Sequence, residues 1–133
     1  MELNEIKHIG VLGAGLMGHG IAQIFASAGY DVNLYDADPA ALQAAKGRIA
    51  DNFKIFIELK LSRPEDRDCC LDRISLCPSL EAFVRGPQLI IEAVLEDLKI
   101  KRNLYSELEP LTPSDTIFSS NTSAISITEI SAA

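Results

Sequence analysis

Apolar residues along this chain fall into short runs separated by longer segments with helical spacing. Ile6 to Leu12 (IKHIGVL) is a mostly apolar run ending in glycine, which suits a strand buried in a parallel sheet. From Met17 the apolar positions Met17, Ile21, Ile24, Phe25 and Ala28 recur on one helical face, and Gly29 supplies the stop. Asp31 to Asp36 (DVNLYD) reads as a second strand, with Pro39 at the helix start that follows. These elements predict a βαβ unit with a right-handed crossover.

Leu42, Ala45, Ile49, Phe53, Phe56 and Ile57 form one stripe of a helix predicted from about Pro39 to Lys60. Such a helix is ~30 Å long and a five-residue strand only ~17 Å, so it overshoots the sheet. Ser62, with Pro64 and Glu65 behind it, reads as a capping box that opens another helix through EDRDCCLD. The pair predicts a helical hairpin projecting beyond the sheet, the plainer alternative being a long crossover. Arg73 to Leu76 is a short third strand, SLEAFVRG a short helix closed by Gly86, and Gln88 to Val94 a fourth strand. The next helix places Ile100, Leu104, Tyr105, Leu108 and Leu111 on one side, and TPSD turns into a fifth strand, TIFSS. Strands alternating with helices of this size predict an α/β fold, a doubly wound parallel sheet of the Rossmann type. The chain stops soon after the fifth strand, so a sixth is expected to be missing.

Composition narrows the class. A chain of 133 residues fits one domain, 1–133, and 47% hydrophobic with 23% charged residues is a globular balance. No apolar run approaches a membrane span, and an acidic N-terminus close to the first strand leaves no room for a targeting peptide, so a cytoplasmic protein without membrane contact is expected. Cys69, Cys70 and Cys77 contain no C-x-x-C pair and predict ordinary reduced thiols, with no metal site. The net charge of −7 argues against nucleic acid as a partner. An anionic small ligand then has to be held by backbone dipoles or local lysines.

The backbone for that lies in GVLGAGLMGHG. Gly13, Gly15 and Gly18 set G-x-G-x-x-G at a strand-to-helix junction: a tight turn, a close approach to a pyrophosphate, and close packing of helix on strand. The helix N-terminus adds free N–H groups and the positive end of a dipole. Asp36 lies about 20 residues beyond Gly15, the spacing at which an acid accepts hydrogen bonds from the adenosine ribose. A glycine-rich turn with no ligand is the alternative. Ala37 and Asp38 follow, with no arginine to receive a 2′-phosphate, so NAD is expected over NADP. The two histidines are set aside: His19 as a bystander in the first helical turn, His8 as too far from the crevice to act as a base.

Three stretches, GVLGAGLMGHGIAQIFASAGYDVNLYD, IIEAVLEDLKIKRNLYSELE and IFSSNTSAISITEI, resemble the NAD-binding domain of L-3-hydroxyacyl-CoA dehydrogenases in order and spacing. The resemblance implies oxidation of a 3-hydroxyacyl-CoA, with short chains such as 3-hydroxybutyryl-CoA expected, to the 3-ketoacyl-CoA with hydride passing to NAD. It puts Gly13, Ala14, Gly15, Leu16, Met17 and Gly18 on the pyrophosphate and Asp36 on the ribose. Glu96 and Lys101 fall near the nicotinamide end, where the alternative is a solvated pair at a helix start. Ser123 matches the active-site serine, with Asn121 in the same loop, and Asn52 and Lys60 lie near CoA-contacting positions on the hairpin. Lys54, Lys60 and Arg63 would offer that arm's positive charge to an anionic carrier. The family's catalytic histidine and helical C-terminal domain lie beyond Ala133, so this chain is expected to bind NAD without turning over, while the longer protein is expected to be a homodimer. An L-gulonate 3-dehydrogenase similar to lambda-crystallin and a non-catalytic nucleotide-binding module are the rival readings.

Overall fold

Continuous apolar strands can be buried on both faces only if helices cover both, and that is the architecture found. The computed structural model describes residues 2–132; Met1 and Ala133, the ends of the expected domain, lie outside the described residues. Five strands, β1 (His8–Leu12), β2 (Asp31–Tyr35), β3 (Ile74–Leu76), β4 (Leu89–Glu92) and β5 (Ile117–Ser120), pair in parallel in the order β3-β2-β1-β4-β5. Among the described residues six α-helices accompany them: α1 (Leu16–Ser27), α2 (Pro39–Glu58), α3 (Pro64–Asp72), α4 (Leu80–Phe83), α5 (Leu98–Leu108) and α6 (Ile127–Ser131). Ile9, Val11, Val32 and Leu34 pack with Ala22, Ala26, Ala45, Ile49 and Phe53 from α1 and α2. Leu12 and Ile90 turn the other way, against Phe83 of α4 and Leu108 of α5. The strand order reverses between β1 and β4, where crevices open at the carboxyl ends of such sheets.

The hairpin expected from the length of α2 is present. Its base is packed, with Phe53 and Cys70 buried beside α1, while Ile55, Leu59, Lys60 and Leu61 are exposed at the tip. Phe56, expected inside, is 39% exposed and meets Phe53 edge-on, while its neighbour Ile57 takes the position packed on the core. The cap of α3 is one residue later than expected. Pro64 occupies the first helical position, which makes Arg63 the cap residue and gives Asp66 the role assigned to Glu65. The Asp66 carboxylate accepts the Arg63 backbone N–H at 2.8 Å.

Strand β1 starts at His8 rather than Ile6. The Gln88 side chain accepts the N–H groups of Lys7 and His8 at 2.8 and 3.1 Å, so a side chain takes over from the sheet ladder at that entry. His8 Nε2 donates to Asn33 Oδ1 at 3.0 Å, and Asn33 in turn donates to the Phe83 carbonyl. His8 thus ties β1 to β2 and to α4, far from the strand's other end.

The inward stripe of α5 also differs from expectation. Lys101, Leu104, Tyr105 and Leu108 face the sheet, and Ile100 and Leu111 are partly exposed. Neighbouring residues on a helix are 100° apart, so one step of phase moves Ile100 out and a lysine in.

The turn between β1 and α1 is the tightest joint in the fold. Gly13 has φ +99°, and a Cβ there would lie 2.5 Å from the Ala93 carbonyl oxygen. A Cβ on Gly18 would lie 1.7 Å from the Gly13 carbonyl oxygen, whereas one on Gly20 meets nothing within 4 Å. Gly18→Ala is therefore expected to cost about 3 kcal/mol or more, and Gly20→Ala to add about 0.5–1 kcal/mol. Thermal or urea denaturation of the two variants reads both signs.

Candidate functional site

The glycine turn leaves the carboxyl end of β1, beside β4, where the strand order reverses and sheets of this kind open a crevice. Gly15 is the cap residue of α1 and has no side chain to satisfy the helix's first amides. The first intrahelical bond in that turn runs from the His19 N–H to the Gly15 carbonyl at 3.1 Å, leaving the amides of Leu16, Met17 and Gly18 ahead of it. Leu16 and Met17 are exposed at the crevice mouth. A Cβ on Gly15 would meet nothing within 4 Å. The fold makes no demand for a bare residue there, unlike Gly13 and Gly18, so the space in front of Gly15 is free for a ligand's phosphates.

Asp36, at the end of β2, is already bound to that turn. Its Oδ2 accepts the Ala14 N–H at 2.7 Å and its Oδ1 accepts the Asp38 N–H at 2.8 Å. A carboxylate has about four acceptor positions, so two remain for ribose hydroxyls. The fit to a dinucleotide is therefore complete in kind: amides and open space for the pyrophosphate, and an oriented acid for the sugar. No arginine follows Asp36 directly, but one approaches the glycine turn from elsewhere. Arg48 reaches back from α2 and its Nη1 donates to the Ala14 carbonyl at 3.3 Å. Local spacing around Asp36 could not reveal a residue delivered by the next helix.

His19 is buried, and its Nδ1 donates to the Gly15 carbonyl at 2.7 Å. Asn52, expected on the CoA side, is half-buried in the α1–α2 interface, where its amide donates to Gln23 Oε1 at 2.8 Å and faces His19 Nε2 at 3.5 Å. Lys60 is exposed at the hairpin tip with φ +56°. The structure does not bring Asn52 and Lys60 together as one surface. Lys54 and Arg63 are paired with Asp51 and Asp66 at 2.7 and 3.0 Å, so much of the arm's positive charge is met locally.

A second cluster lies below the ends of β4 and β5. Glu96 and Lys101 are not a solvated pair: Lys101 is 1% exposed and its Nζ is 3.0 Å from Glu96 Oε2. The same Nζ contacts both oxygens of Glu92 at 3.0 and 2.9 Å, and Glu92 is fully buried. Glu92 was not expected at the site. The signal was available in LIIEAV, because alternation along β4 puts Glu92 on the same buried side as Ile90. Glu96 Oε1 accepts the Thr122 hydroxyl and the N–H groups of Ala124 and Ile125 at 3.2 and 3.3 Å. Ser123 is exposed in the loop thus held, and the Asn121 N–H donates to the Glu92 carbonyl at 2.7 Å.

Burial alone would lower the pKa of Lys101, but its hydrogen bonds to Glu92 and Glu96 outweigh this and raise it. The Thr122 hydroxyl and then Lys101 hold Glu96 at about 2. A cleft of about 550 Å³ beside β5, lined by Tyr105, Phe118, Ile127 and Ile130, lies apart from the glycine turn. Among the described residues no group of three or more His, Cys, Asp or Glu is arranged to hold a metal ion, and no helix is long and apolar enough to cross a membrane.

Residues 8–133 match the family model described as 3-hydroxyacyl-CoA dehydrogenase, NAD binding domain. The chain is 38% identical over 128 residues to a probable 3-hydroxybutyryl-CoA dehydrogenase of Bacillus subtilis, covering 96% of this chain and 44% of that protein. It is 38% identical over 130 residues to the mitochondrial hydroxyacyl-coenzyme A dehydrogenase of Rattus norvegicus, covering 94% and 41%. The crystal structure of (S)-3-hydroxybutyryl-CoA dehydrogenase PaaH1 from Ralstonia eutropha superposes with a TM-score of 0.91 at 31% identity, covering 96% of this chain and 45% of that one. The chain thus spans less than half the length of the relatives it matches.

A depressed carboxyl contributes stability that is full above its unfolded value and is lost as pH falls toward its folded one. For Glu96 that window runs from its ordinary 4.5 down to about 2. Carbon-detected NMR titration should give its side-chain carboxyl a midpoint near 2, and the Ala124 amide shift should move with it. A midpoint near 4.5 would mean that the loop is not held by this carboxylate.

Proposed function

This chain belongs to the 3-hydroxyacyl-CoA dehydrogenase family through its NAD-binding domain, and on that premise we propose that it holds NAD at the β1–β4 crevice within an enzyme that oxidises 3-hydroxyacyl-CoA to 3-ketoacyl-CoA. The observation that carries the reading is the open space before Gly15, set among the unpaired amides of α1 and beside an oriented Asp36. Bound NAD supplies the hydride acceptor. The turn from Gly13 to Gly18 binds the pyrophosphate through backbone N–H groups, and Asp36 orients the adenosine ribose. Backbone does this work, so the chain's negative charge is no obstacle.

On the reacting side, Ser123 directs its hydroxyl toward the substrate oxygen, and Asn121 shares its loop. Glu96 fixes the backbone on either side of that serine. A proton must leave the substrate hydroxyl as hydride departs, and a positioned base is worth about 10²–10⁴ in rate. Neither histidine of this chain is placed to serve: His8 stands at the start of β1, away from the carboxyl ends of the strands, and His19 is buried with its Nε2 turned to the Asn52 amide. The 133-residue chain by itself is thus expected to bind NAD without turning over.

Calorimetry with NAD tests the binding. The chain should release heat on titration, and Gly15→Ala should keep its melting temperature while losing about tenfold or more in affinity, because the new methyl enters only the ligand's space. Asp36→Ala is a less clean probe, since it also removes the partner of the Ala14 and Asp38 amides. For the reaction, the longer protein supplied with NAD and 3-hydroxybutyryl-CoA should accumulate NADH absorbance. A preference for L-gulonate over any acyl-CoA would overturn the substrate assignment.

A further inference from the structure

His19, expected to be a bystander, is bonded twice to one atom. Its backbone N–H donates to the Gly15 carbonyl at 3.1 Å, and its ring Nδ1 donates to the same oxygen at 2.7 Å. A carbonyl oxygen has two lone pairs and can accept both. The ring is itself held in place. His19 is 6% exposed, and its Nε2 faces the Asn52 amide nitrogen at 3.5 Å, which in turn donates to Gln23 Oε1 at 2.8 Å. With an acceptor before one ring nitrogen and a donor before the other, one neutral tautomer fits: the proton on Nδ1 and the lone pair on Nε2.

The Gly15 carbonyl is one edge of a planar, trans peptide, and the Leu16 N–H is the opposite edge. The carbonyl is directed along α1, into the helix, so the Leu16 N–H is directed out of the helix start. Gly15 supplies little to keep that plane in one orientation. It has no Cβ to restrict its backbone and no side chain to cap the helix, and a Cβ there would meet nothing within 4 Å. Side chains from three elements hold the turn instead, one for each successive peptide. Asp36, after β2, accepts the Ala14 N–H; Arg48, on α2, donates to the Ala14 carbonyl; and His19, on α1, donates to the Gly15 carbonyl.

We propose that His19 is a positioning residue for the cofactor: its Nδ1–H pins the Gly15–Leu16 peptide, so that the Leu16 N–H is aimed at the pyrophosphate before the dinucleotide arrives. The inference rests on the reading of the glycine turn as an NAD site. A polar side chain that bonds the carbonyl four residues earlier ordinarily competes with the helix ladder. Here it adds to the first rung of that ladder, because the backbone N–H of His19 reaches the same oxygen. A donor ordered in advance gives up less freedom when the ligand binds, and that saving appears as affinity.

NMR and NAD calorimetry on the 133-residue chain test this. In the native chain the ring nitrogens of neutral His19 should report a protonated Nδ1 and a bare Nε2; the reverse tautomer would overturn the proposal whatever the variants do. Without NAD, the order parameter of the Leu16 N–H should be about 0.85 in the native chain and fall toward about 0.6 in His19→Leu, which fills the buried site but carries no donor. The same variant should lose about three- to tenfold in NAD affinity. His19→Asn puts an amide N–H close to where Nδ1 stood, and should restore both the order of Leu16 and the affinity. A ring that served only as packing would give the opposite ranking, with the leucine the better substitute. Should His19→Leu fail to fold, His19→Met takes its place. Native order at Leu16 together with native NAD affinity in the folded donor-free variant would overturn the proposal. A native chain that releases no heat with NAD would sink the cofactor reading, while the tautomer and the Leu16 order would still decide whether His19 holds the peptide.

Discussion

The helix α1 rests directly on the backbone that leads into it. Gly18 lies so close to the Gly13 carbonyl that no side-chain atom fits between them, and Gly13 is itself pressed against the Ala93 carbonyl at the end of β4. Three segments, β1, α1 and the end of β4, are thereby locked at one point. The close approach of Gly18 to Gly13 sets where α1 begins, and with it the position of the helix's first amides. Asp36 is drawn into the same joint through the Ala14 N–H, so the acid proposed for the ribose is oriented by the turn proposed for the phosphates. A ligand meeting this crevice finds donors and acceptor already set, which lowers the ordering cost of binding.

The other half of the site is organised by charge rather than by close backbone packing. At the carboxyl ends of β4 and β5 the chain buries Glu92 and Lys101 and leaves Glu96 at the boundary with water. Replacing such a pair with apolar residues commonly costs little stability, so packing alone does not explain its presence. Glu96 stands between the pair and the loop after β5, facing Lys101 with one oxygen and accepting the N–H groups of Ala124 and Ile125 with the other. The crevice is therefore bounded on one side by steric constraint and on the other by electrostatic constraint.

The hairpin of α2 and α3 is built differently from both. Its base belongs to the core through Phe53 and Cys70, and its tip is exposed and apolar around Leu59 and Leu61. Lys54 and Arg63 are engaged by neighbouring acids, leaving the arm less basic than its lysines and arginine suggest. Asn52 serves the α1–α2 interface, where Gln23, His19 and the Gly15 carbonyl form a short polar chain leading back to the glycine turn. The arm's packed half thus supports the cofactor crevice from behind.

Local pattern was enough for the parallel α/β fold, the glycine turn, Asp36 and the hairpin, because each is a periodicity or a fixed spacing within about 30 residues of chain. The loop with Asn121 and Ser123 was legible from the end of β5 and from likeness to a family. The rest depended on contacts between segments distant in sequence. Arg48 comes to Ala14 from another helix, and Pro64 shifts the cap of α3 by one residue. Apolar spacing put Ile100 on the inward stripe of α5, and Lys101 was expected only at the nicotinamide end, not in the core. Tertiary packing reversed that choice, since only the approach of α5 to β4 supplies the buried carboxylate that makes an inward lysine stable. A sequence fixes which residues can carry charge; whether a charge is buried is decided by the partner that the fold brings to it.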